Sequence, residues 1–199
     1  MFQQDQALVA DYVQSRGPAG FEHVALFVLL TIRQPLHRVA HDLRTVGAGD
    51  DSPLWGSKGP GARYVAEHAT ELYWAAREHV EAGNIDAALE HVARIPGLGL
   101  VKAGFVLQLC WGVSGCLDTH NLVRFSISAK QFELTGLKHA TRLQKASKYN
   151  ALVAELGGTE ALWDGWCEWA FERGRGNKAH FTDAQDVSRE HCRALGLGE

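Results

Sequence analysis

No apolar run in the 199-residue sequence is long enough to cross a bilayer. The best candidate, VALFVLLTI (24–32), is bounded by His23 and Arg33 and falls short of the ~20 residues a spanning helix needs, so it predicts a buried helix. Cysteine is scarce and unclustered. The four residues at 110, 116, 167 and 192 form neither a CxxC pair nor the spacing of a zinc or iron–sulfur centre, which predicts reduced, buried thiols. Histidine is more frequent but equally scattered: His37 and His41, like His68 and His79, lack a third partner at ligand spacing. No metal and no cofactor is therefore expected. The opening MFQQDQALVADYVQ carries acid and amide where a secretory leader needs a basic and then an apolar segment, which predicts a cytoplasmic protein without a membrane partner. Internal repeats, low-complexity tails and clear strand alternation are missing too.

What is present is helical periodicity. Leu8, Val9, Tyr12 and Val13 share one face; so do Phe21, Val24, Ala25 and Val28, and again Tyr64, Val65, His68, Leu72 and Ala75. Pro60, Asp86 and Thr182 mark helix starts, and Gly83, Gly157 and Gly174 mark stops. The expectation is one compact all-α domain over residues 1–199 with roughly eight to ten helices. The longest interruption, VGAGDDSPLWGSKGPG (46–61), predicts a loop able to move over a site. In WDGWCEWAF, Trp163, Trp166 and Trp169 recur at core-helix spacing.

Formal net charge is −3, but it is unevenly spread. Residues 1–100 and 149–199 each carry −4, whereas residues 101–148 carry +5. The basic groups there are Lys102, Arg124, Lys130, Lys138, Arg142, Lys145 and Lys148, against Asp118 and Glu133. A charge run alone reads as a solvated helix face. This one adjoins a motif that gives it a second meaning, a surface facing phosphates.

The motif is DAALEHVAR-IPGLG-LVKAGFVLQLC, within residues 86–112. Pro96 ends one helix, Gly97 and Gly99 supply positive φ, and a second helix begins at once. Backbone N–H groups of such a turn face outward unpaired and form a natural anion site. GCLDTHNLVRF follows, with Asp118 at the start of a short helix over 118–126, where the dipole favours its anionic form.

In this order, IPGLGLVKAGFVLQL and GCLDTHNLVRF resemble the helix-hairpin-helix signature of the DNA glycosylase superfamily. The resemblance is close over residues 86–126 and extends to the remainder only as helical character. It implies a DNA-glycosylase-like helical fold. Gly97, Gly99 and Lys102 would hold DNA phosphate, together with Arg124, Lys130, Lys138, Arg142 and Lys145. Asp118 would be the catalytic carboxylate with His120 and Asn121 beside it, and Trp55 would serve the pocket of an extruded base. In strand-cutting members a nucleophilic lysine stands two residues after the second hairpin glycine. Here that position is Val101, and Lys102 is rotated by about 100° around the helix. The expectation is that Lys102 points elsewhere, toward phosphate, and that Schiff-base chemistry is disfavoured.

Three functions are compatible with these residues. The sequence looks most like a phage branch of the superfamily linked to thymidine hypermodification, the amino acid:DNA transferases or α-glutamyl/putrescinyl thymine pyrophosphorylases. That resemblance implies transfer of an amino acid or amine onto phosphorylated 5-hydroxymethyluracil, with DNA and a free amino acid or amine as partners. The alternatives are a monofunctional DNA glycosylase and a non-catalytic DNA-binding module.

Overall fold

The computed structural model describes residues 2–174 and 181–197. Among them are ten α-helices, one 3-10 turn and no strand, so the chain is all-α. The helices are α1 (Phe2–Arg16), α2 (Pro18–Leu30), α3 (Leu36–Gly47), α4 (Lys58–Glu81), α5 (Ile85–Val92), α6 (Gly99–Trp111), α7 (Thr119–Arg124), α8 (His139–Glu155), α9 (Gly158–Gly174) and α10 (Ala184–Ala194). The 3-10 turn, Ala129–Phe132, lies between α7 and α8.

Two helices are apolar nearly all round and are buried for that reason. In α2, Phe21, Val24, Phe27, Val28 and Leu30 are all enclosed, as VALFVLLTI predicts. In α6, every residue from Ala103 to Cys110 is buried. Each large side chain enclosed this way contributes about 1.5–3 kcal/mol. The amphipathic helices α3, α5 and α10 pack around this pair with their polar faces outward.

Several starts differ from the sequence expectation by a residue or two. Asn84, not Asp86, caps α5 by accepting from the Ala87 amide at 3.4 Å. Asp183, not Thr182, caps α10 through the Asp186 amide at 2.7 Å. The loop expected over 46–61 is shorter, because α3 runs to Gly47 and α4 already starts at Lys58, with Pro60 inside its first turn. The end of that loop is fixed rather than free. Lys58 is only 1 % exposed and donates to the Leu30 carbonyl at 3.1 Å, closing the end of α2.

The glycines of SKGPGAR have a packing role. A Cβ on Gly61 would overlap the Pro96 carbonyl and Leu29, and one on Gly97 would come within 3.1 Å of Ser57. The start of α4 therefore seats the turn between α5 and α6, in which Gly97 (φ +89°) and Gly99 (φ +54°) adopt the left-handed backbone expected of them.

Candidate functional site: an aromatic cavity beside a capping aspartate

Asp118 caps α7. One carboxylate oxygen, Oδ1, accepts the amides of His120 and Asn121, each at 3.0 Å, while Oδ2 accepts nothing among the described residues. The loop that delivers it is held from several sides. Gln108 accepts the Cys116 amide at 3.0 Å, Tyr149 accepts the Leu117 amide at 2.9 Å, and the same hydroxyl donates to the Gly115 carbonyl at 2.7 Å. Asn121 is buried and donates to the Cys116 carbonyl at 2.9 Å, so it braces the loop from within α7. Gly104 lets α6 approach so closely that any Cβ there would overlap the Gly115 carbonyl.

Asp118 faces a cavity of about 230 Å³. Lys102, Phe105 and Gln108, three residues apart, present one stripe of α6 to it. Leu162, Trp163 and Trp166 of α9 form another wall, and Thr31 and Gln34, between α2 and α3, a third. His120 sits at the exposed end, its ring 4.4 Å from that of Trp169. Cys116 also borders the cavity, and desolvation pushes its thiol up to about 12, which keeps it protonated near neutral pH.

Lys102 departs from expectation. It does not lie outward with the hairpin amides; its ammonium enters the Asp118 cavity, donates to Thr31 Oγ1 at 3.0 Å and stands 5.5 Å from the Phe105 ring centre. The reason is the orientation of α6: the stripe that starts at 102 faces inward, whereas Val101 faces the groove beneath the hairpin. Helix phase therefore provides no argument that this lysine is remote from the chemistry.

His191 of α10, which nothing local in the sequence singles out, also lines the cavity and is 4 % exposed. Its Nδ1 lies 3.1 Å from the Val187 carbonyl. A carbonyl can only accept, so Nδ1 carries the hydrogen and Nε2 presents a lone pair. Burial lowers the imidazole to about 4, and it is neutral near pH 7. Rings of Trp163 (4.6 Å), Trp166 (5.1 Å) and Phe105 (6.0 Å) surround it between centroids. Behind this wall Trp163 Nε1 donates to Ser188 Oγ at 3.0 Å, and Ser188 donates to Asp5 of α1, whose carboxyl burial pushes up.

The hairpin forms a second feature. The amides of Gly97, Gly99, Leu100 and Val101 have no acceptor among the described residues. They border an open groove of about 540 Å³ completed by Ala129, residues 132–137 and Arg142; Lys130 does not line it. The basic block only partly serves this surface. Arg142 pairs with Glu90 at 2.8 Å and reaches the Ala93 carbonyl, and Lys145 donates to the Gln131 carbonyl at 2.9 Å. Glu90 is 2 % exposed and also binds Arg94 (2.7 Å), with His139 Nδ1 3.3 Å away, so Arg142 is held by a buried carboxylate rather than left free for the groove. Arg124 lies over Phe125 and against Gly165. Lys130 and Lys138 are exposed and unpaired among the described residues.

Trp55 is not part of the Asp118 cavity. It is 46 % exposed in a separate depression of about 200 Å³ with Arg38, His41 and Asp42, its ring 4.5 Å from the Lys58 ammonium. The tryptophans that do enclose the cavity are Trp163 and Trp166, which from sequence are among the six available to an extruded base but fit core packing better by their spacing. Their i, i+3 spacing was the available signal; that one stripe of α9 faces a void became visible only with α6 and α10 in place. Arg173, Arg175, Lys178 and His180 make a further basic stretch in the sequence, and the side chains of residues 173–180 lie outside the described residues. No group of three or more His, Cys, Asp or Glu able to hold a metal occurs among the described residues, and no helix there is long and apolar enough to cross a membrane.

The molecule is thus an all-α protein with an acid–ammonium cavity walled by aromatic rings. Comparison with protein-family models, with curated proteins and with solved structures gives no match.

Proposed function

We propose that α5, the turn and α6 form a helix-hairpin-helix of the DNA glycosylase type, and that the protein modifies a pyrimidine extruded from DNA. The observation carrying this reading is the sharing of one aromatic-walled cavity by a carboxylate with a free oxygen, Asp118, and an ammonium, Lys102. The unpaired hairpin amides at the start of the same helix supply an anion site for the DNA backbone. At about 230 Å³ the cavity lies below the ~300–1,000 Å³ of sites for drug-sized ligands, which suits one single-ring base and a small co-substrate.

The favoured reaction is amine transfer onto phosphorylated 5-hydroxymethyluracil in the cytoplasm of a phage-infected cell. The neutral nitrogen of an amino acid or amine attacks the 5-methylene carbon. A C–N bond forms, the C–O bond to phosphate breaks, and phosphate leaves with the electron pair. Asp118 Oδ2 takes the proton released by nitrogen, and Lys102 offsets the charge of the leaving phosphate. His120 and Asn121 are proposed as flanking groups, Asn121 by holding the loop and His120 from the rim.

The test is to incubate the protein with DNA carrying the phosphorylated base and glycine or another small amine, then digest to nucleosides. An aminoacyl nucleoside supports transfer. Free base or an abasic site would replace it with glycosylase chemistry, in which Asp118 stabilises an oxocarbenium-like sugar. Unchanged DNA would leave a binding module.

A further inference from the structure

The buried histidine of α10 has no place in the reaction just described. His191 Nε2 is an obligate acceptor, because Nδ1 is committed as a donor to the Val187 carbonyl. It finds no donor among the described residues, although the ring is enclosed and borders the cavity. Nε2 is not sealed from solvent, so water can match it when the cavity is open, and a ligand that closes it off must bring an N–H or O–H or leave the acceptor unmatched. Two observations narrow the ligand. The surrounding groups are the rings of Phe105, Trp163 and Trp166, against which a flat ring can stack, while the Lys102 ammonium in the same cavity repels a cationic ligand. The same cavity also holds a donor near the Phe105 ring, the Lys102 ammonium, with hydrogens beyond the one given to Thr31.

We propose that His191 is the specificity-determining residue of the cavity and, with Lys102, selects a pyrimidine bearing an imide edge, an N3–H beside a carbonyl, over a cytosine-type ring. This rests on the reading of the cavity as a base pocket. His191 Nε2 accepts from N3–H while Lys102 donates to the adjoining carbonyl oxygen. Cytosine presents a lone pair at N3, which would face the lone pair of Nε2. Asp118 remains free for the reacting carbon.

The experiment uses the purified full chain and three probes: 1-methylthymine, its N3-methylated counterpart and 1-methylcytosine. Binding is followed by tryptophan fluorescence and by the ¹⁵N resonance of His191 Nε2. 1-Methylthymine is expected to bind and to shift that resonance. Blocking N3 or changing to cytosine should weaken binding roughly ten- to a hundredfold, the consequence of an unmatched buried acceptor. His191→Gln, which keeps an acceptor, should retain part of the preference, and His191→Phe should abolish it. Equal affinity for the N3-methylated probe, or no binding of 1-methylthymine, overturns the proposal without need of any variant. A protein that transfers amine but ignores N3 methylation would remove His191 alone. One that discriminates the probes but transfers nothing would remove the reaction alone.

Discussion

The Lys102 ammonium and the Asp118 carboxylate border one cavity, the first from the opening turn of α6 and the second from the cap of α7. Charge-assisted hydrogen bonds from a partly buried ammonium contribute about 1.5–3 kcal/mol. Replacing Lys102 by Met is therefore expected to weaken binding of an oligonucleotide carrying the phosphorylated base at least about tenfold. Leu8→Met, on the exposed face of α1 and away from both the cavity and the hairpin groove, should leave that affinity within about twofold. Fluorescence titration of both variants checks the contrast.

Asp118 has two separable tasks, capping through Oδ1 and presenting Oδ2 to the cavity. Asparagine caps about as well as aspartate, whereas alanine loses about 1 kcal/mol. Asp118→Asn should melt near the wild-type temperature and yet lose the activity seen in the nucleoside assay. Full activity in Asp118→Asn would remove the carboxylate from the mechanism.

The contrast between these two residues shows what a sequence makes legible. Asp118 announces itself locally, because a cap is decided within three residues of chain, and the glycine turn at 97–99 is likewise a local matter of φ. All-helical character was equally legible from periodicity. Lys102, Arg142 and Trp55 depend on what lies opposite them: which stripe of α6 faces inward, where Glu90 is buried, and how α4 seats Lys58 under the indole. None of those is encoded near the residue itself. His191 is the extreme case, a single histidine in a polar helix whose importance comes from rings supplied by α6 and α9.

Glu90 offers a pH-dependent test of the scaffold. Burial pushes its carboxyl up, but hydrogen bonds and charge from Arg94 and Arg142 outweigh that and hold it below its ordinary value of 4.5. With the folded value depressed, its stabilisation is complete above the unfolded value and is lost as pH falls through the folded one. Glu90→Gln should cost about 3 kcal/mol at neutral pH, toward the low end for a buried pair because Arg94 is partly solvated. The gap between wild type and variant in urea melts should close below about pH 4.5.

His191 predicts a second window. Its folded value of about 4 lies below the ordinary 6.5, so the unfolded chain binds the extra proton first as pH falls. Stability should decline from about pH 6.5 toward 4, by roughly 3 kcal/mol if the shift is fully expressed. His191→Phe, which cannot titrate, should flatten that part of the stability profile.

Gly104 tests how tightly the Asp118 loop is held. Alanine there would press on the Gly115 carbonyl. The expected cost is about 1–3 kcal/mol in thermal or urea unfolding, with activity falling as the loop shifts. An unchanged melt would mean that α6 and the loop are not in close contact.

The wall behind the cavity joins the two far ends of the sequence: Asp5 takes the hydrogen of Ser188, and Ser188 takes that of Trp163. Contacts of such separation close late, since their loop entropy must be met first. A nascent chain still lacking α10 can already contain Lys102, Asp118 and the glycine turn, yet it has no imidazole and no anchored indole opposite them. During synthesis the hairpin is thus available to an anion well before there is anywhere for a ring to rest.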